Sequence, residues 1–452
     1  MRGKATGRPE TDSAPSRDGG GRAATANRVE LAAWCLYDWA NSAFPTVITT
    51  FIFAAYFTQA VAPNPVEGTV LWSRAVTVVG LVVAAASPLL GAISDNLGPR
   101  KPWLFVFSAF CAILTGLLWL VEPSADFVAI ALVLYAAASI AYQFAIVFYD
   151  AMLPNIAPRG MVGRISGWGW ALGYAGGLAC LVACLWIVKG GGARVFALDT
   201  AQAEHVRATS VLVALWFVVF SLPLFMMTPD RAATGLTLRA AVRAGLRQLG
   251  GTLGLLRRNP PISRFLIAHM FYTDGLFTRF AFGGIYAAAE FGMEPADILV
   301  FGIVLNVAAG AGAAGFAWLD DAMGSKRTIL MALAGLILAG AGLVLVRVDW
   351  QFWGFALLLG VCVGPAQAAG RSLMARLAPE RMETEMFGLY ALAGKATAFA
   401  GPFVLGLVVS YSGSQRAGMA TIIVFLLLGG LVLLSVREPR SSPPSIEVPV
   451  EA

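Results

Sequence analysis

The segment FYTDGLFTRFAFGGIY, residues 271–286, places an aspartate and an arginine five positions apart among aromatic and small neighbours. At 3.6 residues per turn Asp274 and Arg279 lie about 140° apart, so they do not share a helix face. Arg279 shares its face with Tyr272, Gly275, Phe282, Gly283 and Tyr286. Rings and glycines around one guanidinium describe a pocket wall, and its planar fork suits bidentate recognition of a carboxylate. A structural pair with a carboxylate such as Asp38, or a site lined by water, is the competing role. Asp274 shares its side with Thr278 and is expected to meet another helix. Lys395 is a second such cation. It follows Glu385 by ten residues, about 15 Å along a helix. That is too deep to snorkel, so it requires an acidic partner, water or a solute. Asp38 lies with Asn41, Ser42, Thr46, Thr49 and Tyr56 on one broad helical face beside Pro45. Asp38 and Asp274 are the carboxylates placed clear of helix ends and are therefore the candidate proton sites. For Asp38 a structural ion pair is equally open.

The elements that hold these side chains follow from composition. The chain has 452 residues, 58% hydrophobic and 13% charged, against about 25% charged in a soluble domain. The charges cluster between apolar runs, each longer than the ~20 residues that cross a hydrocarbon core. An all-α membrane protein is expected, with spans near 31–61, 70–94, 102–121, 126–153, 164–188 and 208–228, then 262–287, 297–319, 327–347, 351–376, 385–410 and 417–436. With the N-terminus in the cytoplasm, 24 Lys and Arg fall on the inner side and 6 on the outer side. That bias puts both termini in the cytoplasm. It also assigns the net charge of +6 to membrane topology rather than to nucleic acid. The expected organisation is a disordered tail (1–28), a six-helix bundle (29–228), a cytoplasmic linker (229–261), a second six-helix bundle (262–436) and a disordered tail (437–452). Within the linker, Arg239, Arg243 and Arg247 recur every four residues beside an apolar stripe of Leu238, Val242, Leu246 and Leu249. This basic amphipathic helix suits an anionic leaflet; a solvated linker helix is the alternative. Cys35, Cys111, Cys180, Cys184 and Cys362 all lie in apolar runs and read as packing residues. No nucleophile motif or metal cluster is present, and KGGGAR (189–194) lacks the Lys-Ser/Thr ending of a phosphate loop. Enzyme, metal and cofactor are not expected.

The halves repeat. GAISDNLGPRK (91–101) falls between spans 2 and 3, and AWLDDAMGSKR (317–327) between spans 8 and 9. Asp95, Gly98, Arg100 and Lys101 map onto Asp321, Gly324, Lys326 and Arg327, each 226 residues on. Pro158 and Gly167 map onto Pro379 and Gly388, 221 residues on. The same offset carries Asp150, on a span 4 stripe with Tyr135, Ser139, Tyr142, Gln143 and Tyr149, to Arg371, on a span 10 stripe with Gly360, Gly364 and Gln367. Asp150 and Arg371 can pair across the halves or each with its own loop; loop pairing is the expectation. Two matched loop pairs indicate a duplicated six-span unit, the parallel-repeat plan of transporters with a midplane site between the halves.

The loop motif G-x-x-x-D-x-x-G-x-R-K between spans 2 and 3 resembles that of the major facilitator superfamily. LYDWANSAFPTVI (36–48), LPNIAPRGMVGRISGWGWALGYAGG (153–177), FYTDG (271–275) and FGGIYAAAEFGM (282–293) are similar to the branch related to the fungal autophagy-associated vacuolar effluxer, over residues 30–436. That branch would carry an apolar or small residue where this chain has Arg279. The resemblance implies twelve helices in two pseudo-symmetric bundles, with spans 1, 4, 7 and 10 lining a cavity. It also implies that Asp95 faces the N-terminal end of span 11.

The expected function is secondary transport of a small polar or zwitterionic solute, an amino acid being one case, by alternating access with proton coupling. Arg279, Lys395, Tyr272, Tyr286, Asn41, Tyr142, Gln143 and Gln367 are the candidate solute contacts. Asp95, Gly98, Arg100, Lys101, Asp150, Asp321, Lys326, Arg327 and Arg371 are the candidate gating residues. A drug or metabolite exporter is the alternative transporter, and a receptor or scaffold the alternative of another class. A monomer in a bacterial cytoplasmic membrane is expected.

Overall fold

The computed structural model describes residues 27–189, 191–291, 293, 295–398 and 400–438. The side chain of Arg279 and most of both terminal tails lie outside the described residues. Lipid offers backbone groups no hydrogen-bond partner, so each apolar run must satisfy its own as a helix. Spans 1 to 6 are Arg28–Val61, Pro65–Leu97, Lys101–Leu120, Ala125–Ile156, Val162–Val188 and Glu204–Met227. Spans 7 to 10 are Pro260–Phe291, Pro295–Met323, Ser325–Leu345 and Asp349–Leu377. Span 11 is two pieces, Glu383–Ala396 and Ala400–Ser412, and span 12 is Gln415–Leu434. The linker contributes one further helix, Leu238–Arg258, capped by Thr237.

Span 1 is not uniform. Phe44–Phe51, which contains Pro45, and Phe57–Val61 are wound as π-helix. Proline lacks the N–H that would donate to the carbonyl one turn earlier, and the Thr50 hydroxyl donates to Pro45 O at 2.9 Å within the wider turn.

Polarity is inverted relative to a soluble protein. Leu81, Phe110, Val182, Leu215, Phe403 and Leu431 are exposed on the outside, where lipid tails would lie. Asp38, Asp95, Arg100, Asp150, Asp274, Asp320, Arg371, Glu383 and Glu385 are buried between helices. The two halves meet where span 2 packs on span 11 and span 5 on span 8. Small residues make both crossings close. A Cβ at Gly388 would stand 2.5 Å from Ser87 O, and one at Gly91 would stand 2.7 Å from the Thr384 carbonyl carbon. At the equivalent crossing a Cβ at Gly167 would stand 2.6 Å from the Ala317 Cβ. Within the second half, span 7 packs chiefly on spans 12 and 11.

Candidate functional site

Two polar layers lie along the line where the halves meet, and a third lies within the second half. The first is at the end of the molecule that carries the repeated loops. Asp95 accepts the backbone N–H groups of Thr384 (3.1 Å) and Glu385 (2.8 Å), which open span 11. Asp321 accepts those of Gly163 (2.8 Å) and Arg164 (3.1 Å), which open span 5. Thr384 and Glu385 are Gly163 and Arg164 displaced by the 221-residue offset, so the repeat extends to individual hydrogen bonds. Each carboxylate sits where a helix dipole favours an anion.

The cations differ between the two loops. Arg100 bonds Asp95 (3.1 Å), Glu383 (3.1 Å), the Thr384 hydroxyl (2.7 Å) and Ala151 O (2.7 Å). Arg231 adds a second guanidinium on Glu383 at 2.8 Å. Burial, and then the neighbouring Arg100, lower the Arg231 pKa from its ordinary value. In the second loop the guanidinium comes from Arg376, which reaches Asp320 (3.3 Å), Asp321 (3.2 Å) and Glu438 (3.3 Å). The expected equivalence of Arg100 with Lys326 therefore fails. After Gly98 two residues precede the next helix, whereas after Gly324 the helix starts at once. Gly98 and Gly324 share a positive φ, +98° and +94°, that favours glycine, while their ψ angles differ, −67° against 152°. One residue later the registers diverge. Lys326 donates to Leu434 O and Val436 O, both at 2.7 Å, as Lys101 donates to Thr228 O at 2.7 Å. Arg327 is exposed and has no ion pair among the described residues.

The second layer lies deeper. Arg371 of span 10 bonds Asp38 of span 1 at 3.0 Å and Asp150 of span 4 at 3.1 Å. It also donates to the hydroxyl (3.0 Å) and carbonyl (2.7 Å) of Ser166 on span 5. Asp150 and Arg371 thus pair across the halves, and pairing of each with its own loop is incorrect. The reason is steric: Gly169 leaves the space through which the arginine reaches span 1, and a Cβ there would stand 2.8 Å from Arg371 Nη2. Trp34 lies under the guanidinium at 4.9 Å, stacked on Tyr149. From Asp38 a polar thread runs to Asn41 (3.4 Å) and on to the Tyr142 hydroxyl (3.5 Å). One turn along span 10, Gln367 accepts from Tyr174 at 2.6 Å. The indole N–H of Trp170, on the same side of span 5, has no hydrogen-bond partner among the described residues. Gln143 is half-buried nearby on span 4.

The third layer is the break in span 11. The helix stops at Ala396 and restarts at Ala400. Lys395 lies in the last turn of the first piece, with Nζ 5.0 Å from the Phe277 ring centre and no ion pair among the described residues. Asp274 faces the start of the second piece. Its Oδ2 accepts Gly401 N–H at 3.1 Å, while Oδ1 has no partner among the described residues. Tyr272 and Tyr286 are buried with their hydroxyls engaged, by His269 at 2.9 Å and Leu343 O at 2.8 Å. His269, stacked on Tyr390 at 3.8 Å, was not singled out by the sequence; its place on the Tyr272 side of span 7 was the available signal.

Residues 61–443 match the family described as "Vacuole effluxer Atg22 like". The chain belongs to the Atg22-like family. The MFS-type transporter YxiO of Bacillus subtilis (strain 168) is 25% identical over 91% of this chain and 95% of its own. Autophagy-related protein 22 of Yarrowia lipolytica is 22% identical over 63% of this chain, which spans about half (52%) of the fungal protein. Among solved structures, the proton:xylose symporter XylE superposes with TM-score 0.70 at 13% identity, over 91% of this chain and 96% of that one. The human organic anion transporter MFSD10 superposes with TM-score 0.68 at 15% identity, over 90% and 99%. The fold of this Atg22-like protein is therefore the twelve-helix major facilitator fold, and its relatives are transporters rather than enzymes.

In this Atg22-like chain Asp95 joins the two halves through two backbone N–H groups and Arg100. Asp95→Asn removes the charge from those bonds, each worth about 1.5–3 kcal/mol when charge-assisted. The expected result is roughly tenfold faster thiol labelling of cysteines placed between the halves at the loop end. Unchanged labelling there would show that Asp95 does not hold the halves together.

Proposed function

We propose that this protein is a secondary transporter moving a small polar or zwitterionic solute, such as an amino acid, by alternating access, and that the structure is its loop-end-closed state. The observation that carries this reading is the Arg371 cluster. One guanidinium of the second half binds carboxylates on two helices of the first half, and the loop contacts tie the same end. Such a seam must open for a solute held between the halves to leave on that side. The excess of Lys and Arg on this end supports a cytoplasmic location for it, with both termini, in a bacterial cytoplasmic membrane. The state is then outward-facing. The protein works in this reading as a monomer of two bundles, 29–228 and 262–436, joined by the linker 229–261.

The solute region lies between the second and third layers. Asn41, Tyr142, Gln143 and Gln367 supply neutral polar groups, Trp170 a donor with no hydrogen-bond partner among the described residues, and Lys395 a cation with no ion pair among them, beside a helix break. Broken helices with exposed termini are a recurrent way to bind solutes at the bilayer midplane. Arg279 is assigned to a solute carboxylate, because its alternative partner Asp38 is taken by Arg371. A melting-temperature screen against amino acids, dipeptides and organic acids tests this, since a ligand of the native state stabilises it by mass action. A confirmed carboxylate ligand should bind Arg279→Lys at least about tenfold more weakly while the melting curve without ligand stays put, because a point charge cannot replace the bidentate fork. Wild-type affinity would remove Arg279 from the site.

Proton coupling has a physical basis in the same cluster. When the halves separate, Arg371 leaves two carboxylates in a poorly solvated interior, and a proton arriving as the arginine departs restores charge balance. Asp38→Asn, or Asp274→Asn at the span 11 break, should flatten the pH dependence of flux in proteoliposomes. Wild-type pH profiles from both variants would refute coupling through these residues.

A further inference from the structure

The linker helix Leu238–Arg258 has two faces with different tasks. The inner face is docked. Ala241 and Thr252 are buried, and a Cβ on Gly245 would stand 3.1 Å from Ile93 of span 2. Gln248 accepts from Asn96 of span 2 at 2.7 Å, and Gln248 and Thr252 both donate to Glu385 at the start of span 11. Just upstream, the Thr234 hydroxyl bonds Asn96 O at 2.7 Å, and Arg231 bonds Glu383 at 2.8 Å. The linker therefore bridges span 2 of the first half and span 11 of the second, over the crossing that closes the loop end.

The outer face is basic and uncovered. Arg239, Arg243, Arg247, Arg257 and Arg258 are exposed, and none has an ion pair among the described residues. Leu238 and Leu246 are exposed beside them, at 58% and 55%. The helix begins ten residues after span 6 ends and runs through Asn259 into span 7, so it lies at the level where those spans leave the bilayer. Arginines flanked by leucines at that level match a surface of phosphate headgroups over acyl chains.

We propose that this face binds anionic phospholipid headgroups and that the bound lipid presses the linker onto Glu385, favouring the closed loop end. The headgroup is recognised by charge and depth. The gating consequence rests on the alternating-access reading; the lipid binding does not.

The test uses the full chain in nanodiscs of phosphatidylcholine alone or with added phosphatidylglycerol. Spin labels at Asn155 and Glu380 report the separation of the two halves at the loop end. Phosphatidylglycerol should shift the wild-type distribution toward the short distance. The triple variant Arg239→Gln/Arg243→Gln/Arg247→Gln should lose that shift while matching wild type in phosphatidylcholine. Gln248→Ala/Thr252→Val, which keeps the arginines, should lose it as well. Absence of a shift in wild type, or an undiminished shift in the triple variant, overturns the proposal. Asp95→Asn in phosphatidylcholine is the independent arm. If it lengthens the distance while lipid does nothing, the gate stands and the lipid inference falls. If it leaves the distance unchanged, the gate itself is wrong.

Discussion

Arg371→Gln is expected to abolish transport and to destabilise the protein by about 3–5 kcal/mol, the usual cost of removing one partner from a buried ionic cluster. The guanidinium is almost fully buried and serves Asp38, Asp150 and Ser166 at 2.7–3.1 Å. Glutamine cannot reach all of them, and two carboxylates are left facing each other in a low-dielectric seam. Arg371→Lys keeps the charge but not the fork, so it should hold stability better than transport. The decisive control is Arg371→Gln/Asp38→Asn/Asp150→Asn. It removes all three charges together and should recover most of the lost melting temperature without recovering flux. If the single Gln variant melts and transports like wild type, the cluster neither holds the halves nor takes part in their separation.

The second large effect is steric. Gly388→Ala adds one carbon where span 11 crosses span 2, and that carbon would lie 2.5 Å from Ser87 O and 2.8 Å from Pro88 Cα. These are backbone atoms of a helix, so no side chain can rotate out of the way. The crossing must part, and the loop contacts of Asp95 and Arg100 part with it. A closed state weakened by about 1.4 kcal/mol loses a factor of ten in its ratio to the open state, so labelling of loop-end cysteines should rise about tenfold. The bundles themselves are untouched, so helix content by circular dichroism should be unchanged. Slow labelling with an intact protein would mean that this crossing does not set the closed state.

Much of this was legible in the residues. Long apolar runs with charges between them make helices under lipid almost obligatory, and the repeated loop sequence marks Asp95 and Asp321 as an equivalent pair. Other features were illegible for definite reasons. Asp38 and Arg371 are 333 residues apart, and only the space above Gly169 brings them together; no local pattern encodes that meeting. The one-residue divergence after Gly324 hid the substitution of Arg376 for Arg100, because an offset cannot reveal which helix end supplies a cation. The span 11 break has a signal in the sequence, Pro402. Pro402 cannot donate to Ala398 O, four residues back, and its ring crowds that carbonyl. Yet Pro88, Pro154, Pro223 and Pro365 sit inside unbroken helices, so proline alone does not announce a break.

Span 7 carries a consequence for how the chain is made. Eleven helices among the described residues are long and apolar enough, by length and composition, to cross a membrane, and Pro260–Phe291 is not one of them. It holds Arg264, His269, Asp274, Arg279 and Glu290, and a charge near the helix centre costs about 2.5–3.5 kcal/mol on the insertion scale. The groups that accommodate it come later in synthesis. Gly401 of span 11 meets Asp274, Leu426 of span 12 lies 3.2 Å from the Cβ position of Gly275, and Gly429 fits against Tyr272. The ribosome therefore delivers span 7 well before the helices that make it tolerable in lipid. The contacts of Asp274, Gly275 and Tyr272 with spans 11 and 12 are complete only once the last two spans have been made, and a chain cut short after span 10 lacks them.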